Sequence, residues 1–307
     1  MPTRFTLRQL EYLVAVADSG TVALAAERVN VSSPSISAAI SQIEAEFGLQ
    51  LFVRRHAQGL SLTEGGRSFV ASAREVLRAA ALLSDRAAEI TGEVCGALAV
   101  GCLQTFAQVV LPRVRRSFAE RFPAVEVHQS ERDQAALFEG LRMASLDVAL
   151  TYQMEIPSDL DFIPLAPLPP YVQLPEGHPL ATRPMLSVAD LAPLPMVLLD
   201  LPHSADYFLS LFTARGLRAR IAERTRDMGV MRSLVGNGFG YSIANIHLAG
   251  GLAPDGRRVV AVPLDAPGLD LGLALPRGMQ RRTVQAFVDH CLEAVPPATS
   301  AAQGERL

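Results

Sequence analysis

A chain of 307 residues, 49% of them hydrophobic and 19% charged, is long enough for about two domains and a sizeable buried core. The formal net charge of -3 excludes a global basic field for nucleic acid, so any such footprint must be local. All 28 basic residues are arginines, the better bidentate partner for phosphate.

Three cysteines without a Cys-x-x-Cys argue against a disulfide framework and for a reducing compartment. The start, Met-Pro-Thr-Arg-Phe-Thr-Leu-Arg, lacks the apolar run of a signal peptide, and no stretch approaches ~18 unbroken apolar residues. The expectation is a cytoplasmic protein with no membrane partner.

Leu7, Leu10, Leu13, Val14 and Ala17 fall at helical spacing and predict a first helix over 6–18. Ser19-Gly20 breaks it. Thr21 can N-cap a second helix over 22–29, with Ala25, Ala26 and Val29 facing inward. Ser32 is an N-cap for a third helix ending near Phe47, with Pro34 tolerated in its first turn and Gly48 as the stop. Its buried stripe is Ile36, Ile40, Ile43 and Phe47. Its other face carries Ser33, Ser35, Ser37 and Ser41, small hydroxyls able to meet base edges in a major groove, while Pro34 can touch a thymine methyl. A ligand-free three-helix domain would share the inner pattern; the outer face favours DNA.

Leu51, Phe52, Leu60 and Leu62 predict a short hairpin closing on these helices. Arg54, Arg55 and His56 project from it toward phosphates and, with Thr21, Ser32, Ser33, Pro34, Ser35, Ser37 and Ser41, make up the expected DNA-binding set. Arginines and acids are equal in number from Met1 to Leu60, so a single copy should bind DNA feebly. The next helix, over 63–90, supplies a route to two copies. Phe69, Ala73, Val76, Ala80, Leu83, Ala87 and Ile90 alternate at four-three spacing, a heptad seam for a second helix. Packing on its own domain's core would use the same pattern; the helix's place between two domains favours the seam.

Ala25-Ala26, Val31-Ser32-x-Pro34, Ser37, Ile43-Glu44, Gly48-x-x-Leu51-Phe52-x-Arg54 and Leu62-Thr63-x-x-Gly66 resemble the winged helix-turn-helix of LysR-type transcriptional regulators. The resemblance implies a homo-oligomer, usually a tetramer, that engages double-stranded promoter DNA and answers to a small-molecule inducer. This chain departs from the family pattern at Ser33, where Gln is common. It departs also at Val22-Ala23, where Phe-Thr is common, at Ala38, where Arg is frequent, and at Gly65, where Ala is common. No base preference carries over.

After Thr91-Gly92-Glu93, strands over 97–101, 125–128 and 146–151 alternate with helices over 105–121 and 134–144, implying a parallel sheet with helical crossovers. Past Leu165-Ala166-Pro167-Leu168-Pro169-Pro170 the pattern restarts. Strands are expected at 171–174, 196–199 and near 221, and helices over 206–215 and 228–235, before Gly238-Phe239-Gly240-Tyr241-Ser242-Ile243 enters another strand. After 259–264 the chain returns to the first lobe with a strand over 269–275 and a helix over 281–294.

The expected architecture is α/β. An N-terminal all-α winged helix-turn-helix (1–62) and a linker and dimerisation helix (63–91) precede a two-lobed, periplasmic-binding-protein-like effector module. Its first lobe is 92–168 with 269–307 and its second 169–268. A ligand between such lobes meets strand ends and helix starts. The candidates are Gln104, Thr105, Ser130, Thr151 and Gln153 in the first lobe, and His203, Ser204, Met228, Gly229 and Asn245 in the second. The resemblance singles out Thr105 and Ser130 as inducer-contact positions. The polar set predicts a small polar or carboxylate effector and no cofactor.

Cys102 beside the cleft leaves a thiol redox sensor as an alternative, though no basic residue flanks it. An enzyme is not expected: there is no Gly-x-Ser-x-Gly, P-loop, His-Glu-x-x-His or metal-spaced cluster, and Gly236-Asn237-Gly238-Phe239-Gly240 leads into a strand, the reverse of a dinucleotide turn. A cytoplasmic solute-binding protein would not need the DNA-binding arm.

Overall fold

The computed structural model describes residues 4–55, 59–91, 94–248, 250–278 and 280–295. The chain forms two compact units, one of Met1–Gly96 with Arg142–Ser145 and one of Ala97–Leu141 with Leu146–Leu307. In the first, Thr6 caps helix α1 (Leu7–Ser19) through a reciprocal box with Gln9, and Gly20 ends it at φ 68°, a left-handed backbone that glycine adopts without Cβ strain. Thr21 caps α2 (Val22–Arg28) and Ser32 caps α3 (Ser33–Phe47), with Pro34 in the first turn and Gly48 as the left-handed stop.

Strands β1 (Phe52–Arg55) and β2 (Gly59–Leu62) pair antiparallel as the wing. Helix α4 (Glu64–Thr91) follows, its start held by the Thr63 hydroxyl, which accepts from Gly66 N at 2.8 Å. The core gathers Leu13, Val16, Ala25, Ile36, Ile43, Leu51 and Val70. Arg74 Nη2 meets Asp18 Oδ1 at 2.5 Å and ties α4 to α1. Phe47 differs from its expected burial: 42% exposed, it sits at the core's edge with its ring against Phe5 and Phe69.

The second unit opens with β3 (Gly96–Cys102), α5 (Gln104–Val109), α6 (Leu111–Arg121), β4 (Val125–Glu131), α7 (Gln134–Arg142) and β5 (Val148–Tyr152). The single helix expected over 105–121 is broken at Val110, because Pro112 in the first turn of α6 has no N–H to continue the ladder. Strand β6 (Leu160–Leu168), which also contains Pro164, runs into the proline-rich stretch 165–170 that the sequence reads as a boundary between lobes. It is an edge strand, where proline is tolerated.

Beyond the Pro169-Pro170 crossing lie β7 (Tyr171–Pro175), a 3-10 turn (Pro179–Thr182), β8 (Leu186–Ser187), α8 (Val188–Leu191), β9 (Pro195–Leu199) and α9 (Ser204–Thr213). Then come β10 (Arg220–Thr225), α10 (Met228–Gly236), β11 (Ser242–Ala244) and β12 (Val259–Asp265). The chain returns as β13 (Leu269–Pro276) and ends in α11 (Arg282–Ala294).

The first lobe is a five-stranded sheet ordered β4-β3-β5-β13-β6. β3 and β5 run parallel, but β13 is antiparallel to both β5 and β6. The expected all-parallel sheet is therefore mixed, because β13 enters from the other lobe without a helical crossover. The second lobe holds a four-stranded sheet β11-β7-β12-β8 and the parallel pair β10-β9, linked by a Met196–Tyr241 bridge. Its core packs Val172, Met196, Leu198, Phe212, Tyr241 and Ile243.

The return into the first lobe is held by charge as well as packing. Arg281 Nη2 reaches Asp147 Oδ2 at 2.9 Å and Ala97 O, while Asp147 Oδ2 also accepts from Ala99 N at 2.8 Å. Asn245 Nδ2 donates to Leu168 O at 2.8 Å, and the Tyr207 hydroxyl donates to Pro267 O at 2.8 Å. These two side chains pin the two points where the backbone crosses between lobes.

Candidate nucleic-acid interface and inter-lobe cleft

In the first unit, the period of α3 turns Ile36, Ala39, Ile40 and Ile43 inward and leaves Pro34, Ser35, Ser37, Ala38 and Ser41 exposed. Ser33 is half-buried. Thr21 and Ser32 already serve as caps: Thr21 Oγ1 accepts from Leu24 N, and Ser32 Oγ accepts from Ser35 N and shares a 2.8 Å bond with Ser35 Oγ. Their hydroxyls hold up the helices that would present the other serines.

Three of the five acids counted against DNA binding, Asp18, Glu44 and Glu46, have partners within the unit. Asp18 meets Arg74 and Arg28, and Glu44 Oε1 accepts from Leu51 N at 2.7 Å and from Phe52 N. Glu44 thereby fixes the end of α3 to the wing. Arg54 and Arg55 belong to β1, but their side chains, and His56 altogether, lie outside the described residues.

The seam positions on α4 divide. Phe69 packs edge-on to Phe47 at 4.8 Å, and Ala73, 3% exposed, belongs to the unit's own core. Ala80 is half-buried, whereas Val76 and Leu83 are 42% and 71% exposed in the single chain. The side chains of Ala87 and Ile90 lie outside the described residues.

In the second unit a cleft of about 570 Å³ opens between the lobes, within the size range of small-molecule sites. Gln104, Thr105 and Ser204 line it, as expected of helix starts. The Thr105 hydroxyl bonds to Tyr152, whose phenol is held well above its ordinary range by burial despite that bond. Ser130 Oγ and Thr151 Oγ1 are buried without a partner on β4 and β5, behind the lining. Gln153 is exposed and contributes its backbone N–H to Asp270 O. Asn245 is committed to Leu168 O and Tyr207, its Oδ1 left buried and unpaired.

His203 Nδ1 stands 3.2 Å from Glu155 Oε2, a contact between one lobe and the other that is an ion pair only when the imidazole is protonated. Both residues hold left-handed backbones, φ 62° and 45°, uncommon for side chains of their size. Met228 and Gly229 do not join the cleft. Met228 is buried in its own lobe, and Gly229 lines a separate groove of about 350 Å³ with Val230, Ser233 and Phe239. The Asp227 cap orients α10 with its first turn toward that groove.

Sequence reasoning missed the wall from Glu131 to Gln134, all of which lines the cleft. The rule that picked Ser130 would have reached it had β4 been extended to Glu131. Cys102 is fully buried, and burial, with the nearby Glu131 carboxylate, pushes its thiol up to about 12. Among the described residues no group of His, Cys, Asp and Glu could hold a metal ion, and no helix is long and apolar enough to cross a membrane.

Residues 7–67 match the family described as "Bacterial regulatory helix-turn-helix protein, lysR family", and residues 91–296 match "LysR substrate binding domain". The chain belongs to the LysR family of transcriptional regulators. It is a DNA-binding transcriptional regulator and not an enzyme.

Among solved structures, this LysR-type regulator is similar to HinK, a LysR family transcriptional regulator from Pseudomonas aeruginosa, at 34% identity and a TM-score of 0.64. The likeness covers 95% of this chain and 99% of that one. The HTH-type transcriptional regulator YvbU of Bacillus subtilis is 28% identical, over 88% of this chain and 92% of its own length. A probable hydrogen peroxide-inducible genes activator of Mycobacterium avium is 31% identical, over 88% and 83%.

Proposed function

We propose that this regulator's hold on promoter DNA is modulated by a small polar effector bound between the two lobes. The observation that carries the reading is the cleft itself. Polar side chains from both lobes line it, and His203 and Glu155 bridge the lobes in strained backbones beside it. A ligand that prefers one lobe spacing would shift the population of that spacing by its differential affinity.

In this reading residues 1–62 engage DNA, with Ser35, Ser37 and Ser41 at base edges and the wing arginines at phosphates. Residues 63–91 dimerise the chain through Val76 and Leu83, and the lobes 92–168 with 269–307 and 169–268 enclose the effector. Two or four copies multiply the few cations each copy offers. The redox reading, which the name of the Mycobacterium avium relative brings to mind, is disfavoured. The thiolate is the reactive form, and Cys102 is buried beside a carboxylate.

The test is an anisotropy titration of the full chain against DNA upstream of its own gene, at several salt concentrations. Saturable binding is expected, on the order of a thousandfold tighter than to scrambled DNA. Arg54→Ala should weaken it and reduce the slope of log K against log salt by about one. An unchanged slope would remove the wing from the interface. Compounds that stabilise the protein thermally without altering DNA affinity would sever the cleft from regulation.

A further inference from the structure

Where β4 gives way to α7, one wall of the cleft is built from hydrogen-bond acceptors. Glu131, the last residue of β4, and Asp133, just before α7, both stand exposed on it, with Glu131 Oε1 accepting from Gln129 Nε2 and Asp133 Oδ1 from Ala136 N. Gln134, the first residue of α7, lies beside them and is 2% exposed. Its Nε2 donates to Met154 O at 2.6 Å, and a carbonyl accepts only from the amide nitrogen, so the orientation of the side chain is settled. Its Oε1 is left buried with no donor. A buried acceptor left without a donor is costly, and a ligand N–H would relieve it.

The protein's own cation on this wall, Arg132, lines the cleft but has one end of its guanidinium turned to α7. Arg132 stands between the two acids in sequence, but its Nη1 lies 2.7 Å from where a Cβ on Gly140 would stand. Its guanidinium therefore rests against the later part of α7. The facing wall from the second lobe presents Leu201 and Pro202, with one hydroxyl at Ser204. A carboxylate placed here would meet two like charges on either side of Arg132. A cation with an apolar body would meet two carboxylates, a waiting carbonyl and an apolar surface.

We propose that the cleft takes a small organic ammonium compound, its N–H donors held by the Gln134 carbonyl and the Glu131 and Asp133 carboxylates, its apolar body lying on Leu201 and Pro202. This rests on reading the cleft as the effector site. It also selects between the polar and the carboxylate effector that the sequence left open. A charged donor against a buried acceptor makes one of the stronger hydrogen bonds available to such a site.

Calorimetric titration of the full-length protein tests it, with 2-phenylethylamine and 1,4-diaminobutane as ammonium probes and 3-phenylpropionate and butanoate as carboxylate probes. At least one amine should bind and both carboxylates should not. Glu131→Gln, an isosteric change at an exposed position, should weaken the amine on the order of tenfold, and Gln134→Met should weaken it at least as much. Carboxylate binding with silent amines overturns the proposal, as does no binding by either class, or amine binding indifferent to both variants.

DNA anisotropy under the same ligands separates the two ideas. An amine that binds in this Glu131-dependent way but leaves DNA affinity unchanged supports the ligand class and fails the effector reading. A carboxylate that binds and shifts DNA affinity overturns the ligand class and leaves the effector reading standing.

Discussion

Two adjacent glycines at the start of α4 should respond to the same substitution with opposite signs. A Cβ on Gly66 would stand 2.1 Å from Leu51 O and 3.0 Å from Leu51 C, whereas ordinary contact begins near 3.4 Å. The obstacle is backbone, so relief requires the wing's entry strand and α4 to part by more than an ångström. The same carbonyl accepts from Thr63 N at 3.0 Å, and Gly66 N donates to Thr63 Oγ1, so the shift also strips the cap from α4. Overpacking costs about 1–3 kcal/mol and cap loss about 1 kcal/mol, so Gly66→Ala should destabilise this unit by about 3 kcal/mol.

Gly65 meets only Thr63 Oγ1, at 3.9 Å, and Gly65→Ala should stabilise the helix by up to ~1 kcal/mol, less in a first turn. Native-state hydrogen exchange of peptides covering residues 51–70 in the full chain gives both numbers. The first variant should exchange on the order of a hundredfold faster than wild type and the second somewhat more slowly. Equal exchange in the two variants, or protection in Gly66→Ala, would show that the close approach to Leu51 is not what selects glycine there.

Cys102, with a thiol pushed up to about 12, should carry on the order of 10⁻⁴ thiolate at pH 8. Mass spectrometry after stoichiometric peroxide should find it unmodified, and sulfenylation would restore the redox reading. His290 bonds Ser117 Oγ at 2.8 Å, and its pKa is lowered by burial first and by Arg121 second. The folded state resists a proton that the unfolded chain accepts near 6.5, so His290's contribution is present above that pH and is lost as pH falls from there through the lowered folded value. Urea titrations of wild type and His290→Gln from pH 7.5 to 5 should therefore converge, and parallel curves would refute the assignment.

Arg281→Ala leaves Asp147 largely buried with its guanidinium partner gone, and should cost about 3 kcal/mol by urea denaturation. Stability within 0.5 kcal/mol of wild type would mean that water replaces the guanidinium, at roughly the scale of a surface pair.

Much of the DNA-binding arm was legible in the sequence because its signals are local. Thr21 and Ser32 cap their helices through their own next turn, and Gly20 and Gly48 stop them because the left-handed backbone favours glycine. The alternating strands and helices of the second unit were legible for the same reason, from period and breakers. Strand β6 was not, because whether its two prolines end a strand or sit on an edge depends on which neighbour β13 takes as its partner.

The cleft depended still more on long-range placement. Helix starts pointed to Gln104, Thr105 and Ser204, yet the same rule named Met228 and Gly229, which the packing of α10 sends elsewhere. On α4 the heptad period is a property of the sequence; that Ala73 turns into its own core while Leu83 stays exposed is a property of where the wing and α1 end. Glu131, Arg132, Asp133 and Gln134 are consecutive, and nothing local says which of their charges the cleft presents. Only the fold decides it, by laying Arg132 against the bare backbone of Gly140 and leaving the acids and one unpaired carbonyl at the cleft wall, because a side chain's direction is set by what packs around it and not by its place in the chain.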